Sequence, residues 1–275
     1  MIFIVGSDSK IAQNFFKKYK NNFSFILSSR RNKEFFELDL NKYDNLDDLP
    51  KEVKIAIIFA GITGIEFCSK NIELVKRINY EVTLKLIKDL NKRNIKCLFL
   101  STNCVFSKET TSTSEYSERE PSNIYGYYKK LLEDKILESN MNSILRLTKV
   151  IDPKASLIVD WIYKIKNNKK LETFKNVKIS PISQDFVSEF LNEWCIKNFE
   201  QKIFHLSGSI EITYYQFARS ISKIISKNNK NIIGIDANLT EEKYFSPNKS
   251  MLECKLKHSR YQNFDQLINH VTRSE

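Results

Sequence analysis

The sequence predicts an α/β chain: a doubly wound parallel sheet with a smaller α/β domain behind it. Three observations carry that prediction. Apolar strand-like runs alternate with helix-length amphipathic stretches up to about residue 152, a glycine-bearing turn joins the first strand to the first helix, and the remainder mixes shorter strands with helices.

Ile2-Phe3-Ile4-Val5 is an apolar strand, followed by the turn Gly6-Ser7-Asp8-Ser9-Lys10-Ile11-Ala12 and a helical pattern through Tyr19. A strand, tight turn and helix start can set backbone amides and the helix dipole against a pyrophosphate. An ordinary turn would look the same. Further runs at 23–28, 55–60, 97–102 and 143–150 read as strands, and 71–92, 125–139 and 155–168 as helices. Ser107–Asn123, rich in Ser, Thr and Glu, reads as a loop, placed where a substrate would sit. Beyond 152 the expected helices are 185–198 and 213–227, and the expected strands 177–181, 203–206 and 232–235. The low-complexity stretch 226–231 reads as a solvated turn. The expected domains are residues 1–152, to which a later segment can return, and a second domain formed mainly by 153–275.

Composition narrows the function classes. A chain of 275 residues can bury a substantial core. No apolar run approaches the ~20 residues that span a bilayer, and Met1 leads directly into a strand, so no membrane is expected and the cytoplasm is the default location. The five cysteines are odd in number, scattered and free of Cys-x-x-Cys pairs, which reads as buried thiols rather than disulfides or zinc ligands. Neither a metal site nor a Ser/His/Asp hydrolase is supported. The net charge of +11 comes from lysines spread along the chain, often beside asparagine, without a nucleic-acid motif; no nucleic-acid partner is expected.

Tyr125 and Lys129 are the most informative pair. Four residues apart on a helix, they share one face, where an ammonium can lower the pKa of a phenol and bring it nearer the range of acid-base work. A solvated pair would have the same spacing, and the surroundings change the reading. Gly6 to Ala12, Asp39-Leu40, Phe59-Ala60-Gly61, Asn79, Ser101-Thr102-Asn103, Tyr125 with Lys129, and Arg146-Leu147, in that order, resemble the extended short-chain dehydrogenase/reductase family. The nearest similarity is to its dTDP-4-dehydrorhamnose reductase branch. Ser101–Phe106 resembles that branch's Ser-Thr-Asp-Tyr-Val-Phe, and Pro121–Lys129 its Pro-x-Asn-x-Tyr-Gly-x-x-Lys. Pro181–Asp185, His205–Gly208, Phe217-Ala218 and Pro247–Leu252 extend the likeness to the C-terminus. Two departures stand out: Ser9 and Ala12 replace glycines of the phosphate turn, and Asn103 and Cys104 replace the branch's Asp and Tyr.

The resemblance implies a Rossmann-like fold with a substrate-binding domain. It also implies a cytoplasmic reductase acting on a keto group, at C4, of a nucleotide-activated deoxysugar, for surface polysaccharide biosynthesis. Thr102 would hydrogen-bond the substrate carbonyl, with Ser101 its neighbour should the register slip. Tyr125 would supply the proton, and Lys129 would bind the nicotinamide ribose and hold the Tyr125 pKa down. Gly6, Ser9, Lys10 and Ile11 would offer backbone to the cofactor phosphates, Asp39 and Leu40 would lie beside the adenine, and Ala60 and Gly61 would let the backbone approach the cofactor. At the end of the second strand, Ser29-Arg30-Arg31 suits a 2′-phosphate, which favours NADPH over NADH. Two exposed arginines of a basic protein would read alike, as would a loop cap at Asp39 and a simple turn at Ala60-Gly61. Tyr127 and Tyr128 fit packing or stacking, Asn79 a structural role, and Arg146 a core or interface ion pair. The expected partners are a nucleotide-sugar substrate and, at most, a second copy of the chain in a homodimer. Two other activities stay open: an epimerase that retains NAD, and a non-catalytic dinucleotide-binding subunit similar to the regulatory subunit of methionine adenosyltransferase.

Overall fold

The computed structural model describes residues 1–275 except 108–109, 111, 227–228, 240–248 and 274–275. Pro247 and Asn248, part of the Ser107–Asn123 loop and the centre of 226–231 therefore lie outside the described residues.

The first part runs β1 (Ile2–Val5), α1 (Lys10–Tyr19), β2 (Phe25–Ser29), β3 (Phe36–Glu37), β4 (Ile55–Ile58), α2 (Ile65–Lys70), α3 (Ile72–Lys76), α4 (Thr83–Lys92), β5 (Lys96–Thr102), α5 (Ile124–Ile136) and β6 (Asn142–Leu147). After it come β7 (Lys149–Ile151), α6 (Ser156–Lys166), β8 (Leu171–Phe174), β9 (Lys178–Ile179), β10 (Pro181–Ser183), α7 (Gln184–Ile196), β11 (Ile203–Gly208), β12 (Ile212–Thr213), α8 (Tyr214–Ile225), β13 (Ile232–Ile235), β14 (Arg260–Gln262) and α9 (Phe264–Arg273). Eight strands form one sheet in the order β14-β11-β6-β5-β4-β1-β2-β3, with every pairing parallel.

Why these strands are apolar throughout follows from the layers. On one face Phe15 of α1 and Phe190, Leu191 and Trp194 of α7 pack on the sheet; on the other, Leu86 and Leu90 of α4 and Leu132 and Ile136 of α5 do. Strands covered on both faces gain nothing from alternation, and all four residues of β1 are buried. A separate core joins Trp161 and Ile165 of α6, Phe217 and Ile221 of α8, and Leu267 and Val271 of α9. It supports the short pairs β7·β10, β8·β13 and β9·β12.

Three expected elements differ in the structure. The helix expected over 71–92 is α3, a π-helical turn over Arg77–Val82, and α4. That wider turn aims the Asn79 carboxamide at Ile62, accepting its N–H at 2.7 Å and donating to its C=O at 2.8 Å. The strand expected over 143–150 divides at Thr148, where the chain leaves the large sheet and β7 pairs with β10. The strand expected over 177–181 likewise divides into β9 and β10. Residues 203–208 and 260–262 return to the large sheet as β11 and β14.

Candidate active site

The sheet order reverses between β1 and β4, and in an open parallel sheet the cleft outside the carboxyl ends at such a point is where ligands bind. A cavity of about 740 Å³ lies there. Gly6 makes it possible: its φ is +85°, and a Cβ at this position would sit 2.8 Å from the Ala60 backbone, so only glycine lets the end of β1 touch the end of β4. The turn is pinned by Gly6 N–H to Ser28 Oγ (3.1 Å) and by Ser7 Oγ to the Ser28 carbonyl (2.6 Å). Ser9, the N-cap of α1, makes no side-chain capping bond and the first turn carries no acid, which leaves the helix's leading amides for an outside acceptor.

Most sequence-level cofactor candidates line this cavity: Gly6, Ser9, Lys10, Arg30, Asp39, Leu40, Ala60 and Gly61. Two do not. Ile11 packs its side chain against the core under α1, and Arg31 is exposed outside the lining. Asp39 lines the cavity, and its carboxylate also accepts Asn41 N–H at 2.9 Å to close the local turn. Of the lining residues that sequence reasoning did not single out, one carries a charge. Asp8 accepts from Ser29 Oγ at 3.1 and 3.3 Å, so the serine expected to meet a 2′-phosphate is already held by a carboxylate. Nothing in the local pattern marks that long-range bond.

Thr102 and Tyr125 line a second cavity, about 680 Å³, and Thr63 lines both. The convergence depends on Gly126. A Cβ there would fall 1.9 Å from the Cys104 carbonyl, so glycine alone lets α5 dock on the 3-10 turn after β5. Asn123 caps the helix by accepting Gly126 N–H at 2.8 Å. Thr102 Oγ1 accepts Cys104 N–H at 3.2 Å, which fixes the hydroxyl, and donates in a long bond to Asn103 Oδ1 at 3.4 Å that a substrate oxygen would replace. Of Ser101 and Thr102, only Thr102 lines the cavity, while Ser101 donates to the buried Glu133.

Lys129 is 5% exposed; its ammonium donates to the Leu100 carbonyl at 2.9 Å and lies 4.2 Å from the Phe99 ring centroid. Burial drives its pKa down to about 8, with Glu133 and Cys68 pulling the other way. The lowering of the Tyr125 pKa expected from the spacing does not occur. Burial pushes the phenol well above its ordinary 10.0, Cys104 and Cys68 add to the rise, and only Thr102 opposes it. Lys129 is turned toward Leu100 and Gly61 instead, and a Cβ on Gly61 would come 3.6 Å from its Nζ.

One turn further along α5, Glu133 is fully buried. It accepts from Arg146 Nη2 (2.7 Å), Arg146 Nε (3.1 Å) and Arg119 Nη1 (2.8 Å), and these cations hold its carboxyl below the usual range against the burial that would raise it. Arg146 Nη1 meets His205 Nε2 at 3.2 Å; a guanidinium only donates, so Nε2 accepts and Nδ1 donates to the Glu253 carbonyl at 2.9 Å. Burial, then Arg146, drives the His205 pKa down to about 4. Arg146 is thus a core ion-pair residue.

The second cavity's far wall was not named from sequence. Trp161, Phe174, Tyr214, Lys149 and Lys178 all line it. Trp161 shares helical spacing with Ile158, Ile162 and Ile165, which reads as core, and it is 4% exposed. Among the described residues no group of three His, Cys, Asp or Glu gathers as a metal site, all five cysteines are free, and no helix is long and apolar enough to cross a membrane.

Comparison with known proteins agrees with this geometry. The family model for the RmlD substrate binding domain matches residues 1–271. The chain belongs to that family. Its fold is an extended short-chain dehydrogenase/reductase fold, in a family of NAD(P)-dependent oxidoreductases. Among solved structures, dTDP-4-dehydrorhamnose reductase from Bacillus anthracis in complex with NADP aligns with a TM-score of 0.84 at 15% identity, over 100% of this chain and 99% of that one. The Clostridium acetobutylicum dTDP-4-dehydrorhamnose reductase gives 0.82 at 17%, over 99% and 98%. MoeE5 in complex with UDP-glucose and NAD gives 0.80 at 14%, over 99% and 98%. At these identities the likeness is one of fold. No curated protein matches in sequence.

The family's dinucleotide fits the residues present. The Gly6 approach to Ala60, the uncapped start of α1 and the cavity lined by Gly61 form a cradle at the sheet's switch point. Replacement of two turn glycines by Ser9 and Ala12 does not close it, because Gly6 alone meets the backbone of β4. Ala12 is 1% exposed and belongs to the core beneath α1.

Proposed function

We propose that this protein is a cytoplasmic reductase that uses NADPH, with NADH as the second cofactor its cavity admits, to reduce a keto group at C4 of a nucleotide-activated deoxysugar for surface polysaccharide biosynthesis. One observation carries the reading: Thr102 and Tyr125 meet in the second cavity while Lys129, from the same helix face, reaches the Gly61 wall of the first. A proton donor, a hydrogen-bond donor and a cation therefore gather where the two cavities adjoin.

The bound nicotinamide would supply the hydride. The chain supplies everything at oxygen. The Thr102 hydroxyl, fixed through Cys104 N–H, gives its proton in a hydrogen bond to the carbonyl oxygen. Tyr125, kept as a neutral phenol by burial, donates from Oη to the same oxygen as negative charge grows there. Lys129, held by Leu100, stands as the cation beside the Gly61 wall. Arg30 is the positive group in the first cavity for a 2′-phosphate.

The test follows NADPH and NADH oxidation with dTDP-, UDP- and GDP-linked 4-keto-6-deoxysugars, in wild type and Tyr125→Phe. Turnover that collapses in the variant supports the reductase. A protein that binds a cofactor yet oxidises it with no member of the panel overturns the reading and puts the epimerase or binding-subunit activity in its place.

A further inference from the structure

Three charged residues line the cavity that Thr102 and Tyr125 share: Lys149, Glu172 and Lys178. Two of them are already paired, Glu172 with Lys170 at 2.6 Å and Lys178 with Glu211 at 3.0 Å. The side chain of Lys149, the first residue of β7, makes no hydrogen bond or ion pair among the described residues. It is exposed, and close enough to Cys104 for its charge to act on that thiol, two residues along from Thr102. A cation left unpaired in a cavity has the donors that an anionic oxygen group takes.

We propose that Lys149 forms an anion-binding subsite of this cavity and that it holds a phosphate or carboxylate oxygen of the substrate. This deepens the nucleotide-sugar reading and rests on it for the ligand class, while the binding claim does not depend on hydride transfer. The subsite makes the substrate's own negative charge a condition of recognition. A nucleotide sugar offers two sources of that charge, the diphosphate and a carboxylate on the sugar.

Calorimetric titration separates them. The full-length protein as wild type, Lys149→Met and Lys149→Arg is titrated with UDP, dTDP, UDP-glucose and UDP-glucuronate, each variant's fold being checked by thermal unfolding. Loss of a charge-assisted contact weakens binding about tenfold or more, and arginine keeps the charge, so Lys149→Met loses affinity while Lys149→Arg stays near wild type. Weaker binding of all four probes assigns the diphosphate. Unchanged UDP and dTDP binding, with loss only of a wild-type preference for UDP-glucuronate over UDP-glucose, assigns a sugar carboxylate. Equal affinities of wild type and Lys149→Met for every probe, or a wild type that binds none, overturn the proposal. A protein that titrates as expected here and turns over nothing in the sugar panel keeps the subsite and loses the reductase.

Discussion

The two ends of helix α5 carry charge and polarity in opposite ways. At its N-terminal end, Tyr125 and Lys129 hold few partners: a carbonyl and a ring face for the ammonium, the Thr102 hydroxyl for the phenol. At the other end Glu133 is saturated by two arginines and a serine, and the network runs on through His205 to the Glu253 carbonyl. Both regions are buried. The first leaves donors pointed at a cavity, the second spends every donor on the protein itself. Saturation makes a framework and unspent capacity makes a site, and the common helix ties the position of one to the rigidity of the other.

Breaking the saturated end has the largest expected effect. Glu133→Ala leaves Arg146, itself fully buried, without its carboxylate. Removing one partner of a buried pair costs about 3–5 kcal/mol, a large share of a domain's roughly 5–15 kcal/mol stability. Chemical denaturation is expected to show that loss; a change under 1 kcal/mol would mean that water reaches the network. Breaking the unspent end should do the reverse. Tyr125→Phe removes a proton donor from a cavity wall, so kcat falls roughly 10²–10⁴-fold while the unfolding midpoint stays near wild type. A midpoint that falls as far as that of Glu133→Ala would erase the distinction between the two ends.

Lys129 tests the comparison by pH. Its folded pKa of about 8 lies below the ordinary 10.5, so between these values the unfolded chain holds more protons than the folded one. Stability contributed by this group is complete above 10.5 and is lost as pH falls toward 8; wild type therefore gains stability on going from pH 8 to 10.5. Lys129→Met, which has no charge to desolvate, should lack that gain and match or exceed wild-type stability at pH 7, with activity lost. Parallel stability profiles for the two proteins in that window would show the ammonium to be hydrated.

How much of this was legible in the sequence divides along the same line. Local constellations were readable: the turn at Gly6, the place of Thr102 at the end of β5, the four-residue step from Tyr125 to Lys129, and the strands whose apolar runs need no partner to be recognised. What was not readable depends on distant pairing. β3 and β14 are two and three residues long, too short for a period, and exist because β2 and β11 offer edges. The π turn at Arg77–Val82 is set by Asn79 reaching Ile62, seventeen residues back. The direction of the Tyr125 shift was missed because spacing brings Lys129 to the right face, while burial and the Leu100 carbonyl decide what the phenol experiences. α9 had its signal, with Leu267, Ile268 and Val271 on one buried face, but lies beyond the segments the motifs organised.

The smallest expected effect concerns the cofactor cavity, where the same contrast recurs in miniature. Among the described residues Arg30 is exposed and without a carboxylate partner, whereas Ser29 is spent on Asp8. A 2′-phosphate entering beside Arg30 meets that guanidinium favourably and the Asp8 carboxylate unfavourably; a free 2′-hydroxyl meets in the same carboxylate an acceptor for its proton. The two residues therefore pull the choice between NADPH and NADH in opposite directions. Asp8→Asn removes the repulsion and keeps the size, and kcat/KM for NADPH relative to NADH should rise by about three- to tenfold, a surface-exposed charge effect that shrinks as salt is added. Arg30→Ala should move the ratio the other way. If both substitutions leave it unchanged, the ribose lies away from the β2 end of the cavity, and the discrimination must come from the Asp39 side.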